Sequence, residues 1–536
     1  MRRIYPLGYS KEAQLARKRL QRVVRNAKRL FWQALVDNVS SNKDMFKITR
    51  WTKARSSFQP PPLQVNGTVY ETMTEKATAL RQATLERRTS DDDIENPWAD
   101  VSPNQYLPFS SHVSAEEARK ATIDTGNTSP GSDDITVKVL RAAWPAIGNL
   151  VRELYEGCLT LGHHPKAFKE AEVVMITKPG KRDLISPRAW RPISLLLCLG
   201  KGLERLVARR LAWAAVHYTM LHRQQAGALP KRSAVDLVAA LVHDIKVAFS
   251  QRKVATLIII DIQGAFDTVM RNRLILRLRQ QGWPLPLVKW AASFMSNRAA
   301  RVRYQDITTE YAPLLCGLPQ GSPASPILFL LYTEPIYKLG FQLGRFGYAD
   351  DTAILRTGRT LRETAKLATA DVRELISWGA ANGITFDPEK TEVMHFSHKK
   401  DDTSPSVTHG GIAKVPAEAI RWLGIWLDKK LTFRTHIEKW AAKAKKVAGH
   451  LHGLCNTKHG PLPAAVRRAV KAYVEPILLY SMEAWYTGTK SYTAWHGTKK
   501  VRPQIQHLVD KLNPVLRRAI QAILPIWKTT PVPIYY

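Results

Sequence analysis

Residues 254–269 read VATLIIIDIQGAFDTV. From Val254 to Ile260 only Thr256 is polar, and β-branched side chains dominate. A run with so little polar alternation has no face to turn to water, so it predicts a strand buried on both sides. Asp261 closes the run. Two readings of that acid stand open: a cap for the turn or helix that follows, or a metal ligand at the exposed end of a sheet.

A second stretch narrows the choice. RFGYADDTAIL (345–355) sets Asp350 and Asp351 side by side between apolar flanks. Adjacent carboxylates repel each other and resist burial. By itself the pattern fits a tight hairpin with Ala349-Asp350 at the turn, because Asp tolerates turn geometry. It fits a catalytic tip equally well. Taken together, two buried-type strands each deliver acid to a tip, from positions 89 residues apart. Such a cluster is destabilising unless a cation neutralises it. Mg²⁺ suits it, taking oxygen ligands from a few carboxylates and from substrate phosphates. Two such ions about 3.5–4 Å apart activate a hydroxyl and stabilise a leaving phosphate, which is nucleotidyl transfer.

The charge balance agrees. The 536 residues carry 80 Lys+Arg against 45 Asp+Glu, a formal +35. That excess asks for a polyanion, and nucleic acid fits better than a membrane. No apolar run reaches the roughly 18 residues of a membrane span. At 45% hydrophobic the chain is a folded one, long enough for about two to four domains. Cys158, Cys198, Cys316 and Cys455 are scattered without a CxxC pair, which reads as a reduced intracellular protein with no zinc module.

Three regions are expected. Residues 1–128 form a basic, largely helical extension and linker, broken by QPPPLQVNG (59–67) and the acidic loop TSDDDIENPWADVSPNQ (89–105), with a boundary near 105–128. From 129 to 428 helical stretches alternate with short strands (AEVVMIT at 171–177, TLIIIDI at 256–262, EVMHF at 392–396), an α+β pattern with its core at about 160–428. Residues 429–536 hold 19 Lys/Arg against 4 Asp/Glu and lean helical, which suits a clamp on a duplex backbone. The first 30 residues carry ten Lys/Arg and one acid, Glu12. An Arg-rich mitochondrial transit segment is one reading. A helix over 11–35 lying on nucleic acid is favoured, because its pattern runs unbroken into Phe31 and Trp32.

The motifs, in order, resemble the reverse transcriptases of non-LTR (LINE-type) retrotransposons. TSPGSDDITVKVLRAAWP (128–145) resembles the element ahead of the fingers, and MITKPGKRDLISPRAWRPISLLLCLGKGLERLVARRL (175–211) the fingers. RQQAGALPKRSAVDLV (223–238) is similar to the template-facing loop. DIQGAFD (261–267), GLPQGSPASPILFLLY (317–332), YADD (348–351) and GITFDPEKTEV (383–393) resemble the successive palm motifs, and IRWLGIWLDKKLTF (420–433) the primer grip. The resemblance implies a right-hand polymerase fold: fingers, an antiparallel-sheet palm and a helical thumb. It implies two Mg²⁺ ions, with Mn²⁺ as a substitute, a dNTP, an RNA template and a DNA primer or target.

By that resemblance Asp261, Asp350, Asp351 and the Ile262 carbonyl hold the metals. Phe266 abuts the sugar and excludes a ribose 2′-hydroxyl. Gln320 and Gly321 touch the nucleotide or template base, and Lys178, Arg191 and Lys181 grip the triphosphate. Lys390 protonates the leaving pyrophosphate. Ser325-Pro326 reads as the N-cap and first residue of a helix, and Gly317, Pro319 and Gly321 as a turn open to a ligand. Ala228 and Ala234 depart from the family's aromatic and Thr in the template-facing loop. Endonuclease and ribonuclease H domains are expected to be lacking, with WKTTPVPIYY ending the chain where such enzymes often continue. A decayed or domesticated nucleic-acid-binding protein and a group II intron maturase are the alternatives. The expected location is the nucleus or a cytoplasmic ribonucleoprotein, with the mitochondrion as the alternative the N-terminus raises.

Overall fold

The computed structural model describes residues 11–37, 60–65, 67–180, 183–399, 404–455, 460–486, 490–494, 497–501 and 505–524. Lys181 and the C-terminal WKTTPVPIYY lie outside the described residues, as does the stretch 38–58 of the region 1–58 that was expected to be mostly helical. The chain divides into two compact units.

The larger unit, Gln59–Leu423, holds two five-stranded sheets. In chain order its main strands are β1 (Glu170–Thr177), β2 (Trp190–Leu195), β3 (Gln225–Ala226), β4 (Val254–Asp261), β5 (Arg298–Tyr304), β6 (Ile307–Thr308), β7 (Ala312–Leu314), β8 (Arg345–Tyr348), β9 (Asp351–Gly358) and β10 (Glu392–Phe396). One sheet runs β10-β4-β9-β8-β3, antiparallel except where β3 pairs parallel to β8. The expected doubly buried strand, β4, is an inner strand of it, paired on both edges. Ile258 and Ile260 enter the main core with Phe329 and Val372, and Ala255 and Leu257 are equally buried. The helices Ala234–Ser250 and Leu361–Ala381 both pack on β4, so the apolar run is covered as its composition demands.

The other sheet runs β2-β1-β5-β6, with β7 also paired to β5. Its β1–β5 pairing is parallel and joins positions over 120 residues apart in sequence (Glu170 with Ala299). Helix α1 (Lys11–Asp37) belongs to the smaller unit; α2 (Met73–Thr84) packs on this sheet, with Ala77 and Leu80 against Val173, Ala300 and Val302.

The boundary expected near 105–128 falls inside the larger unit. The reason is polar stitching. Arg81 donates to the Ala300 carbonyl at 3.2 Å, and Arg279 to that of Pro97 at 2.9 Å. Asp93 caps helix α3 (Arg271–Gln280), accepting from the Asn272 and Arg273 N–H groups at 2.6 and 3.1 Å. The acidic loop is thus a strap tied to the sheet-bearing body.

The smaller unit contains α1 and the elements from Gly424 onward. Nearly all of α1 is exposed, including Phe31 and Trp32, and the Gly460 N–H donates to Asp37 at its end (2.9 Å). Its other long helix is Arg434–Gly453, packed on Asn513–Ile523. Among the described residues no helix is long and apolar enough to cross a membrane.

Candidate active site

The register of the central sheet solves the spacing of the acids. Asp351, first residue of β9, pairs directly with Asp261, last residue of β4. Tyr348 pairs with Asp351 across the hairpin, which leaves Ala349-Asp350 as a two-residue turn, as the sequence suggests. Ala349 has φ +57° and Asp350 does not turn positive, the sign pattern of a type II′ turn. The turn is held from behind by β3: the Gly347 N–H donates to the Gln224 carbonyl at 2.9 Å and the Ala349 N–H to that of Ala226 at 3.1 Å. Three carboxylates therefore share one end of one sheet.

Their electrostatics follow. Burial raises the Asp350 carboxyl, Asp261 adds to this, and Arg191 and Lys390 oppose it. The Asp351 carboxyl is pushed up to about 6, first by burial, then by Asp350 and Asp261, against Lys390. The cation beside Asp261 is the Lys390 ammonium, with Nζ 2.5 Å from Oδ2 and 3.9 Å from Asp387 Oδ2. Among the described residues no group of three or more His, Cys, Asp or Glu forms a ready-made metal cage. The donor chemistry does fit a hard divalent cation: three carboxylates at one sheet end, those of Asp350 and Asp351 held above their normal range, and a backbone carbonyl. The carbonyl is Ile262's. Its bridge to Phe386 uses the Gln263 N–H (to Thr385 O, 2.8 Å) and the Asp261 carbonyl (from Asp387 N–H, 2.9 Å), leaving the Ile262 carbonyl out.

The sequence-predicted cations sit on adjacent strands of the other sheet. Lys178 follows β1, with its N–H on the Ala189 carbonyl at 2.8 Å; Arg191 lies exposed on β2 opposite Ile176. The Lys178 ammonium is lowered first by burial, then by Lys390, Arg191 and Arg87, while Asp261 pulls it upward. Lys178 thus feels three neighbouring cations and one of the acids.

Two loops complete the site. Phe266 is half-buried, its ring 5.2 Å from that of Phe329. Its carbonyl accepts from the Leu318 N–H at 2.7 Å, which stitches DIQGAFD to GLPQG. The Gln320 carbonyl accepts from Ser194 N–H of β2 at 2.7 Å, and Gln320 Oε1 is buried with no partner among the described residues. Gly321 has φ +130°, and a Cβ there would lie 2.5 Å from the Ser194 carbonyl. A Cβ on Gly317 would lie 2.9 Å from the Asp267 carbonyl. These glycines are required where they stand by close approach to the chain's own backbone. Ser325 is not the N-cap the sequence suggested: Ala324 is, without a side-chain cap, because the Ser325 hydroxyl donates to the Pro319 carbonyl at 2.9 Å and bends the loop onto the Ser325–Thr333 helix.

Sequence reasoning missed two residues here. Asp267 closes DIQGAFD, and burial pushes its carboxyl up to about 7 against Arg87 and Lys178. Arg87 lies two residues ahead of the strap, where no periodicity or motif marks it.

Residues 176–427 match the family model described as "Reverse transcriptase (RNA-dependent DNA polymerase)". Residues 176–427 thus belong to the reverse-transcriptase family, and the relatives the chain resembles are polymerases of non-LTR retrotransposons. It is similar to the probable RNA-directed DNA polymerase from transposon BS of Drosophila melanogaster, 31% identical over 373 residues, 68% of this chain and 41% of that one. It is 24% identical to the RNA-directed DNA polymerase from mobile element jockey of the same species, over 86% of this chain and 52% of that one. The chain thus spans about half the length, or less, of these curated relatives. A telomerase structure from Candida albicans aligns over 70% of this chain and 63% of that one at 12% identity, with a TM-score of 0.35; the fold description rests on the sheet topology instead. In the family's terms the sheet bearing Asp261, Asp350 and Asp351 is the palm, and the sheet beside Lys178 and Arg191 belongs to the fingers.

Proposed function

We propose that this chain is an RNA-directed DNA polymerase, extending a DNA primer on an RNA template from dNTPs. The observation that supports it most is the pairing of Asp261 with Asp351 beside the Asp350 turn. The primer's 3′-oxygen bonds to the α-phosphorus, the bond to the β-phosphate breaks, and pyrophosphate departs. Two Mg²⁺ ions held by Asp261, Asp350, Asp351 and the Ile262 carbonyl would activate that hydroxyl and neutralise the departing charge, with Mn²⁺ as a substitute. Lys178 and Arg191 hold the triphosphate, Arg by its planar fork. Lys390, already among the acids, supplies a proton to pyrophosphate. Phe266, wedged on Phe329, stands against a ribose 2′-hydroxyl, and Gln320 and Gly321 bear on the nucleotide or template base.

The test is incorporation by the purified chain on an RNA template with a DNA primer. The account expects extension with dATP and at most about a hundredth of that rate with ATP, a margin of the size a built site achieves. RNA binding without any incorporation, or equal use of ATP and dATP, would overturn it.

A further inference from the structure

Behind the loop that carries Gln320, the larger unit encloses a cavity of about 20 Å³, room for one water molecule. Asp267, Arg298, Gly317, Leu318 and Gln320 are among its walls, so DIQGAFD, GLPQG and strand β5 meet there. We propose that one water occupies this cavity and that Arg298, acting through it, is a positioning residue for Gln320. The bridge turns the amide oxygen inward and leaves the NH₂ as a donor toward the nucleotide or template base. The inference rests on the polymerase reading above and adds to it a residue of β5, 22 positions before Gln320.

The polar atoms around the cavity ask for such a bridge. Arg298 is 3% exposed, and its Nη1 donates to the Phe294 carbonyl at 3.0 Å. Its Nε and Nη2 are buried with no partner among the described residues. Gln320 Oε1 is buried and unpartnered in the same way. Two donors and an acceptor on one small cavity are what a single water joins, accepting from the guanidinium and donating to the amide oxygen. Left unjoined, each group would cost about 1–3 kcal/mol. The guanidinium also decides the sense of the amide. An NH₂ turned inward would set donor against donor.

Arg298 is held as a cation from its other side. Burial lowers its guanidinium to about 10, still protonated at neutral pH, and Glu204 of the helix Cys198–His217 opposes that lowering. Glu204 is fully buried. Its carboxyl is raised to about 7 by burial, against the Ser322 hydroxyl, Arg298, Lys201 and Arg205 in that order. Lys201 and Arg205 are drawn off to the Ser129 and Ala121 carbonyls. His164, 3.8 Å from Glu204, is kept neutral by burial. The Ser322 hydroxyl accepts from the Ala324 N–H at 3.1 Å and has its own proton free for the Glu204 carboxyl. Glu204 thereby bears on the loop at Ser322, and Arg298 bears on it at Gln320.

The test uses the full chain with Arg298→Met, Arg298→Lys and Gln320→Ala, each checked by thermal melting. A crystal structure that shows ordered water should place one water within about 3 Å of both Gln320 Oε1 and the Arg298 guanidinium. In primer extension, Arg298→Met should raise KM for dNTP by about five- to tenfold with kcat within about twofold, as loss of one hydrogen bond to bound nucleotide does. Arg298→Lys keeps the charge and a donor and should lose less. In the Gln320→Ala background, Arg298→Met should add less than about twofold, because it acts through that amide. If Arg298→Met melts too low to assay, Arg298→Lys carries the same cycle. An equal cost of the Arg298 change with and without Gln320 would overturn the proposal. So would a dry cavity, or an amide whose nitrogen faces the guanidinium. A wild-type chain that shows the bridging water yet extends no primer would uphold the bridge and overturn the polymerase reading instead.

Discussion

Gly347 faces Tyr337 so closely that a Cβ on it would overlap the tyrosine hydroxyl, and Tyr337 is fully buried. The hairpin carrying Asp350 and Asp351 is therefore seated by an absence of side chain. Gly347→Ala should cost about 2 kcal/mol by overpacking, read as a lower urea midpoint at unchanged slope. At this scale the acids were legible, because each ends an apolar run and their types admit few chemistries. Gly347 was quoted within its motif, yet nothing in the sequence shows that Tyr337 lies over it. Arg87 was invisible for a related reason: it packs where a Cβ on Gly264 would be, and Gly264 is 177 positions away and is brought near only by folding.

Between elements, charge and capping decide what patterning leaves open. Strand β5, RAARVRY, has no apolar run, so no strand was expected there. It forms because Arg301 and Arg303 pair with Glu172 of β1 at 2.9 and 2.7 Å while Ala300 and Val302 fill the core. Strands β1, β4 and β10, with apolar runs of their own, were readable almost to the residue. Helix α3 has no cap of its own; Asp93 supplies it from the strap. Asp93→Ala should lower stability by about 1–2 kcal/mol and expose the strap to limited proteolysis, which a time course on gels would show. In the smaller unit, His436 is buried between the Trp426 N–H (3.3 Å, to Nδ1) and the Tyr480 carbonyl (3.1 Å, from Nε2). Burial lowers it from 6.5 to about 4. Between those values the unfolded chain takes a proton that the folded chain refuses, so stability falls as pH drops from about 6.5 toward 4. The slope from this group is about 1.4 kcal/mol per pH unit at most. Melting of His436→Gln should lose that part of the acid sensitivity that wild type shows between pH 7 and pH 5.

Over the whole molecule the formal charge of +35 is the widest-acting feature. It predicts primer–template binding that weakens steeply with salt, by roughly a thousandfold between about 50 and 200 mM if six or more phosphates are neutralised. A filter-binding salt series would check the slope, and a flat one would deny the charge this role. The strap extends the catalytic body upstream of the matched domain, which sequence alone assigned to a linker because its acids and prolines read as loop. The central claim is that Asp261, Asp350 and Asp351 form one catalytic tip. It is tested most directly by primer extension on an RNA template with Asp350→Asn, an isosteric change at a half-buried turn, alongside melting and primer–template binding. The account predicts extension down on the order of a thousandfold or more with melting and binding unchanged. Extension by the folded variant within about tenfold of wild type would contradict it.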